Sequence, residues 1–129
     1  MSAVIFPRRT FWFGACATVL ALANRPAKAH AQLRGADPPV GASLRAAPAQ
    51  VSLTFSEGVE PAFSSIIVTD AAGARVDRDD LRRDSTQITH LLLGLKPLLP
   101  GIYRVDWKVT SVDSHKTQGS YTFTVLPPS

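Results

Sequence analysis

The feature that most constrains this chain is an alternation of apolar and polar side chains near its C-terminal end. Tyr103, Val105, Trp107 and Val109 alternate with Arg104, Asp106 and Lys108, and Tyr121, Phe123 and Val125 alternate with Ser120, Thr122 and Thr124. A period of two puts one set on a single face of an extended strand, so each segment predicts a strand with one buried and one wet face. Val51, Leu53 and Phe55 repeat the pattern against Ser52 and Thr54. Ser65 to Thr69 and Thr86 to Leu93 are shorter or more continuously apolar, as strands covered on both sides would be. Turn formers punctuate these runs: Asp37-Pro38-Pro39-Val40-Gly41, Asp70-Ala71-Ala72-Gly73, and Pro100-Gly101, a pair suited to a type II turn. The mixed-sign stretch Asp77 to Asp84 reads as a solvated loop. With no helical stripe of useful length, the expectation is an all-β, immunoglobulin-like Greek-key β-sandwich or barrel.

Residues 1–29 do not share this pattern. Arg8 and Arg9 precede an apolar run from Phe11 to Ala23, and Ala27-Lys28-Ala29 supplies small residues where a signal peptidase cuts. The apolar run falls well short of the roughly 20 residues that a membrane-spanning helix needs. Residues 1–29 are therefore expected to be a cleaved signal peptide, by the general secretory or the twin-arginine route, leaving 30–129 as one exported, periplasmic domain. Cleavage after Ala29 would make His30 the first residue.

Processing changes the charge balance. Of 14 basic residues, Arg8, Arg9, Arg25 and Lys28 lie in the leader, leaving ten against ten acids and a formal net charge of zero. The basic precursor therefore gives no reason to expect a nucleic-acid partner. The only cysteine, Cys16, and the only methionine, Met1, also lie in the leader. The mature domain can form no disulfide, and any metal must be held by nitrogen and oxygen.

A histidine at a mature N-terminus has two nitrogens, the α-amine and imidazole Nδ1, that can close a six-membered chelate ring on one ion. Internal histidines cannot, because their backbone nitrogen is an amide. Nitrogen and oxygen donors in a tetragonal plane suit Cu(II), which also heads the affinity order among divalent first-row metals. The companion feature is Asp113-Ser114-His115 in a short connection between two strands. In an extended segment Asp113 and His115 would point the same way and converge on one ion. Taken alone, D-x-H equally describes a hydrogen-bonded loop pair, and His30 alone equally describes a solvated residue at a processing site. Together they offer four donors: the His30 amine and imidazole, the Asp113 carboxylate and the His115 imidazole.

The chain resembles the CopC copper-resistance proteins. The resemblance is carried by His30-Ala31-Gln32-Leu33, Pro38 to Leu44, Ala47-Pro48, Val51 to Glu57 with its Phe55-Ser56-Glu57 ending, and Pro61-Ala62-Phe63-Ser64. It continues from Gly101 to Trp107, through Ser111-Val112-Asp113-Ser114-His115, to Gly119–Val125. It implies a small β-sandwich that binds Cu(II) through His30, Asp113 and His115, with Glu57 as a weak ligand or an outer partner of the ligands. It also implies an inner-membrane partner of the CopD kind. Some members carry a methionine-rich segment for Cu(I), and residues 30–129 have no methionine to build one. Soft thioethers select Cu(I), so a Cu(II)-only carrier fits better than a shuttle between oxidation states.

His90 is left over and reads as a hydrogen-bonded structural or edge histidine. Tyr103, Trp107, Tyr121 and Phe123 read as core, unless one of them walls the copper site. The expected function is a non-catalytic, monomeric periplasmic copper carrier or buffer. Two other classes compete: a copper oxidase or monooxygenase with an N-terminal histidine brace, and a metal-free immunoglobulin-like module. A carboxylate in the copper plane would fill a position that oxygen chemistry needs open. A mature start other than His30 would favour the metal-free module.

Overall fold

The alternating segments form the strands of a computed structural model that describes residues 31–129. The expected leader and His30 lie outside the described residues. In order the strands are β1 (Leu33–Asp37), β2 (Ser43–Leu44), β3 (Gln50–Phe55), β4 (Ser65–Thr69), β5 (Arg82–Arg83), β6 (His90–Gly94), β7 (Gly101–Thr110) and β8 (Lys116–Val125). One short 3-10 turn, Pro61–Phe63, precedes β4. No helix among the described residues is long and apolar enough to cross a membrane.

Two four-stranded sheets result, ordered β1-β3-β6-β5 and β2-β8-β7-β4. The short β2 runs parallel to β8, and every other pairing is antiparallel. The chain crosses between the sheets after each of its first four strands, and the fold is the expected immunoglobulin-like β-sandwich. Alternation fills the space between the sheets: β3 and β6 bury Val51, Leu53, Phe55, Leu91 and Leu93, while β4, β7 and β8 bury Ile66, Val68, Tyr103, Val105, Tyr121 and Phe123. Each such side chain contributes about 1.5–3 kcal/mol through loss of apolar surface from water. The stacked rings of Tyr103 and Phe123 lie 5.5 Å apart. Tyr121 is tied down as well, its hydroxyl donating to the Pro38 carbonyl at 2.9 Å.

Trp107 is only half-buried. It meets Phe55 edge-to-face at 5.3 Å and so joins the two sheets at the end where β3 and β7 finish. Directly opposite it on β8 is Gly119, where a Cβ would stand 2.6 Å from the indole. A side chain there would displace the ring.

Four local expectations are corrected. The strand expected from Thr86 begins only at His90, because the Asp84 carboxylate accepts the backbone N–H and hydroxyl of Thr86, both at 2.8 Å, and holds that stretch in a turn. β4 is an edge strand that buries only Ile66 and Val68 fully, rather than a strand covered on both sides. Gly101 is already paired with Val125 at a φ of 158°, far from the roughly +80° of a type II turn. The charged stretch Asp77 to Asp84 is not simply a solvated loop, since Arg82–Arg83 pairs with β6 and the Asp77 side chain is fully buried.

Asp77 is buried because its carboxylate organises the chain around it. It accepts the N–H of Val68 at 2.9 Å, the N–H of Asp79 at 2.9 Å and the Arg75 guanidinium at 2.9 Å. Burial alone would push this carboxyl up, but the bonds from Arg75, Val68 and Asp79 together hold it below the usual carboxylate range. A group depressed in the folded state contributes stability above its unfolded value, near pH 3.9, and that contribution is lost as pH falls through the folded value. Asp77→Asn should therefore cost about 1–3 kcal/mol at neutral pH, with donors turned towards donors, and much less in acid. Thermal melts of both proteins at pH 7 and pH 3 check this; a gap that is as wide at pH 3 would contradict it.

Candidate metal centre

The β7–β8 hairpin is longer than the sequence pattern suggests, so the D-x-H connection shrinks to Ser111 to His115. The hairpin ends on the bond from Ser111 N–H to the His115 carbonyl at 2.8 Å, and Ser114 N–H returns to the Ser111 carbonyl at 2.9 Å. Ser114 has a φ of 77°, in the left-handed region that costs a non-glycine residue roughly 1–2 kcal/mol. Asp113 and His115 are thus brought together by a tight reversal, not by the extended backbone that the i, i+2 spacing implies.

Their side chains meet directly. Asp113 Oδ1 lies 3.1 Å from His115 Nδ1, with the two side chains 43% and 48% exposed. The same oxygen accepts the Ser111 hydroxyl and is 3.4 Å from the His115 backbone nitrogen. The Ser111 hydroxyl, then the His115 ring and backbone N–H, draw the Asp113 carboxyl down to about 2, so it is an anion near neutral pH. With Nδ1 facing Asp113, Nε2 is the ring nitrogen turned away from the carboxylate.

Two neighbouring segments are stitched to this loop. Gly58 accepts the Val112 N–H at 2.9 Å and Glu60 N–H donates to the Thr110 carbonyl at 2.9 Å, laying residues 56–60 along the base of the loop. Arg83 steadies that segment from β5 by donating to the Val59 carbonyl at 3.1 Å. Glu57 is carried in this segment, half-buried, between Ser56 and Gly58. A Cβ at Gly58 would stand 2.7 Å from Ile88 and 3.2 Å from Val112, so glycine lets both side chains close over the backbone.

The start of the described chain arrives at the same end of the sandwich. Ala31 is fully buried, and its carbonyl accepts the Thr117 hydroxyl at 2.7 Å. Gln32 and Ser56 exchange two bonds of 2.8 Å, one through the serine hydroxyl.

Asp113 and His115 are therefore paired, Glu57 is in an adjoining segment, and His30 lies outside the described residues. Among the described residues, no three His, Cys, Asp or Glu side chains are grouped to hold a metal. His90 stands apart as the first residue of β6, opposite Thr54, with Nδ1 3.1 Å from the Thr89 hydroxyl. Ser111, Gly58 and Thr117 carry the geometry without having been singled out. Ser111 could have been noticed, since it stands two residues before Asp113, as His115 stands two after. Thr117 and Gly58 leave no such mark, because their partners are 86 and 54 positions away.

A family model described as the CopC domain matches residues 33–126. The chain belongs to the CopC family. Protein YobA of Escherichia coli K12 is 42% identical over 98 residues, covering 75% of this chain and 79% of YobA. The copper transport protein CutJ of Bacillus subtilis is 32% identical over 121 residues, which are 92% of this chain but only 22% of CutJ. Among solved structures, CopC from Methylosinus trichosporium OB3b superposes with a TM-score of 0.72 at 37% identity, covering 76% of this chain and 95% of that one. The matched residues span β1 to β8 and include the β7–β8 hairpin.

Proposed function

We propose that the protein is a periplasmic Cu(II) carrier or buffer serving copper resistance or trafficking, made by removal of residues 1–29. In this reading one Cu(II) is held by the α-amine and imidazole of His30, the carboxylate of Asp113 and the imidazole of His115, with Glu57 at the margin.

One observation carries it. Ala31, one peptide bond from His30, is fixed to Thr117, and Thr117 follows His115 by two residues. Two residues of strand span about 7 Å, and neighbouring Cα atoms are about 3.8 Å apart. Ala31 and the Asp113–His115 pair thus share one end of the sandwich, which supports a site shared with a histidine at position 30. The donors are nitrogen and oxygen, and no cysteine or methionine occurs in residues 30–129. Such a set fits Cu(II) and lacks the soft ligands that a Cu(I) site needs.

Membership of the CopC family supports copper as the cargo. That CutJ, a copper transport protein, contains a region like this chain within a far longer protein supports a copper transporter as the partner, the inner-membrane CopD kind being what the family resemblance implies. The carrier reading is also favoured over the oxidase because the Asp113 anion would occupy the copper plane.

Protein beginning at His30 should bind one equivalent of Cu(II) and give an electron paramagnetic resonance spectrum of tetragonal, nitrogen-rich copper. Saturation far from one equivalent, or a spectrum of aqueous copper alone, would reject the site. Mass spectrometry of the exported protein gives the first residue independently.

A further inference from the structure

Ser111 is 1% exposed, and the sequence around it gives its hydroxyl no evident task. In the fold that hydroxyl donates to Asp113 Oδ1 and lies 3.3 Å from the backbone nitrogen of His115. Its backbone also closes the hairpin, through N–H to His115 and carbonyl from Ser114. The residue is itself fixed from below, because it bridges Val59 on the 56–60 segment. Oδ1 is therefore saturated by Ser111 and His115, while Asp113 Oδ2 takes part in none of these bonds.

We propose that Ser111 is a positioning residue for the metal site, its buried hydroxyl pinning Asp113 Oδ1 so that Asp113 holds His115 Nδ1 and presents Nε2 and Oδ2 to the ion. The chemistry is that of a ligand oriented from behind. A neutral imidazole whose Nδ1 faces a carboxylate carries its proton there, and the lone pair is then on Nε2. The exposed carboxylate of Asp113 would otherwise sample several rotamers, and a partner rooted in the core removes that freedom. The effect on metal binding rests on the copper reading above, whereas the effect on the His115 ring does not.

The test has a metal-free arm and a copper arm. In metal-free protein, above the imidazole's titration, long-range 1H–15N spectra should show His115 mainly as the Nδ1–H tautomer. Ser111→Ala should shift it to a mixture, and Ser111→Thr, which keeps a hydroxyl, should restore it. Thermal melting shows that each variant is folded. In competition titrations Ser111→Ala should weaken Cu(II) binding about 10- to 100-fold, the range for residues that orient ligands. In an Asp113→Ala background the same change should add almost nothing, because Ser111 acts through Asp113. An unchanged tautomer in folded Ser111→Ala, a full-sized loss in the Asp113→Ala background, or a threonine variant as impaired as alanine would overturn the proposal. Wild-type protein that bound no copper would reject the copper site and leave the tautomer arm to decide Ser111.

Discussion

Protein carrying one extra residue before His30 should bind Cu(II) at least about 100-fold more weakly than protein beginning at His30, more than is lost with an outer partner of a ligand. The cause is covalent. Acylation converts the terminal amine into an amide, whose nitrogen keeps its hydrogen near neutral pH and is a poor donor, so the six-membered chelate ring cannot close. The fold should not register the addition. Among the described residues the first anchored one is Ala31, a buried member of the core held by the Thr117 hydroxyl, and the rest of the core lies further along the chain. Circular dichroism and melting without copper should coincide for the two forms, and chelator competition should separate them. Equal affinities would exclude the N-terminal chelate and leave Asp113, His115 and Glu57 to account for the metal.

The second large effect separates the histidines. His115→Ala should cost at least about 100-fold in Cu(II) affinity, as loss of a direct ligand should exceed loss of an outer one. His90→Ala should change affinity by less than about threefold, a difference below 1 kcal/mol. Both residues are partly exposed, so neither change should unfold the protein. His115 lies in the hairpin beside the Ala31 anchor. His90 begins β6 and turns its Nδ1 to the Thr89 hydroxyl, with no carboxylate within its own strand. Competition titrations on both variants give the comparison. Losses of similar size would mean that the metal is not centred on the β7–β8 hairpin.

The architecture was legible because a one-sided strand writes its burial into every second residue. β3, β7 and β8 could be placed from alternation alone, and Tyr103, Tyr121 and Phe123 are core as expected. β1, β2 and β5 escaped because they are short or polar: Leu33–Asp37 contains Arg34, Gly35 and Asp37, and Arg82–Arg83 has no apolar side chain at all. Such strands exist because a longer neighbour offers unpaired backbone groups, and that offer is not encoded in their own residues.

What the sequence determined by itself is the chemistry of the donors. It restricts side-chain donors in residues 30–129 to nitrogen and oxygen, sets Asp113 two residues from His115, and puts His30 directly after Ala27-Lys28-Ala29. What only the tertiary structure decided is how segments so far apart in the chain share one end of the sandwich. The reversal at Ser114, the bridge from Ser111 to Val59 and the bond from Thr117 to Ala31 join segments 31, 59 and 111–117. The carboxylate of Asp77 shows the same division, since its residue type predicts solvent exposure and only the converging Arg75 guanidinium and N–H groups of Val68 and Asp79 make its burial favourable. Residue type and spacing fix which bonds are available, whereas long-range pairing fixes which of them form, because each needs a partner that the folded sheets alone bring within about 3 Å.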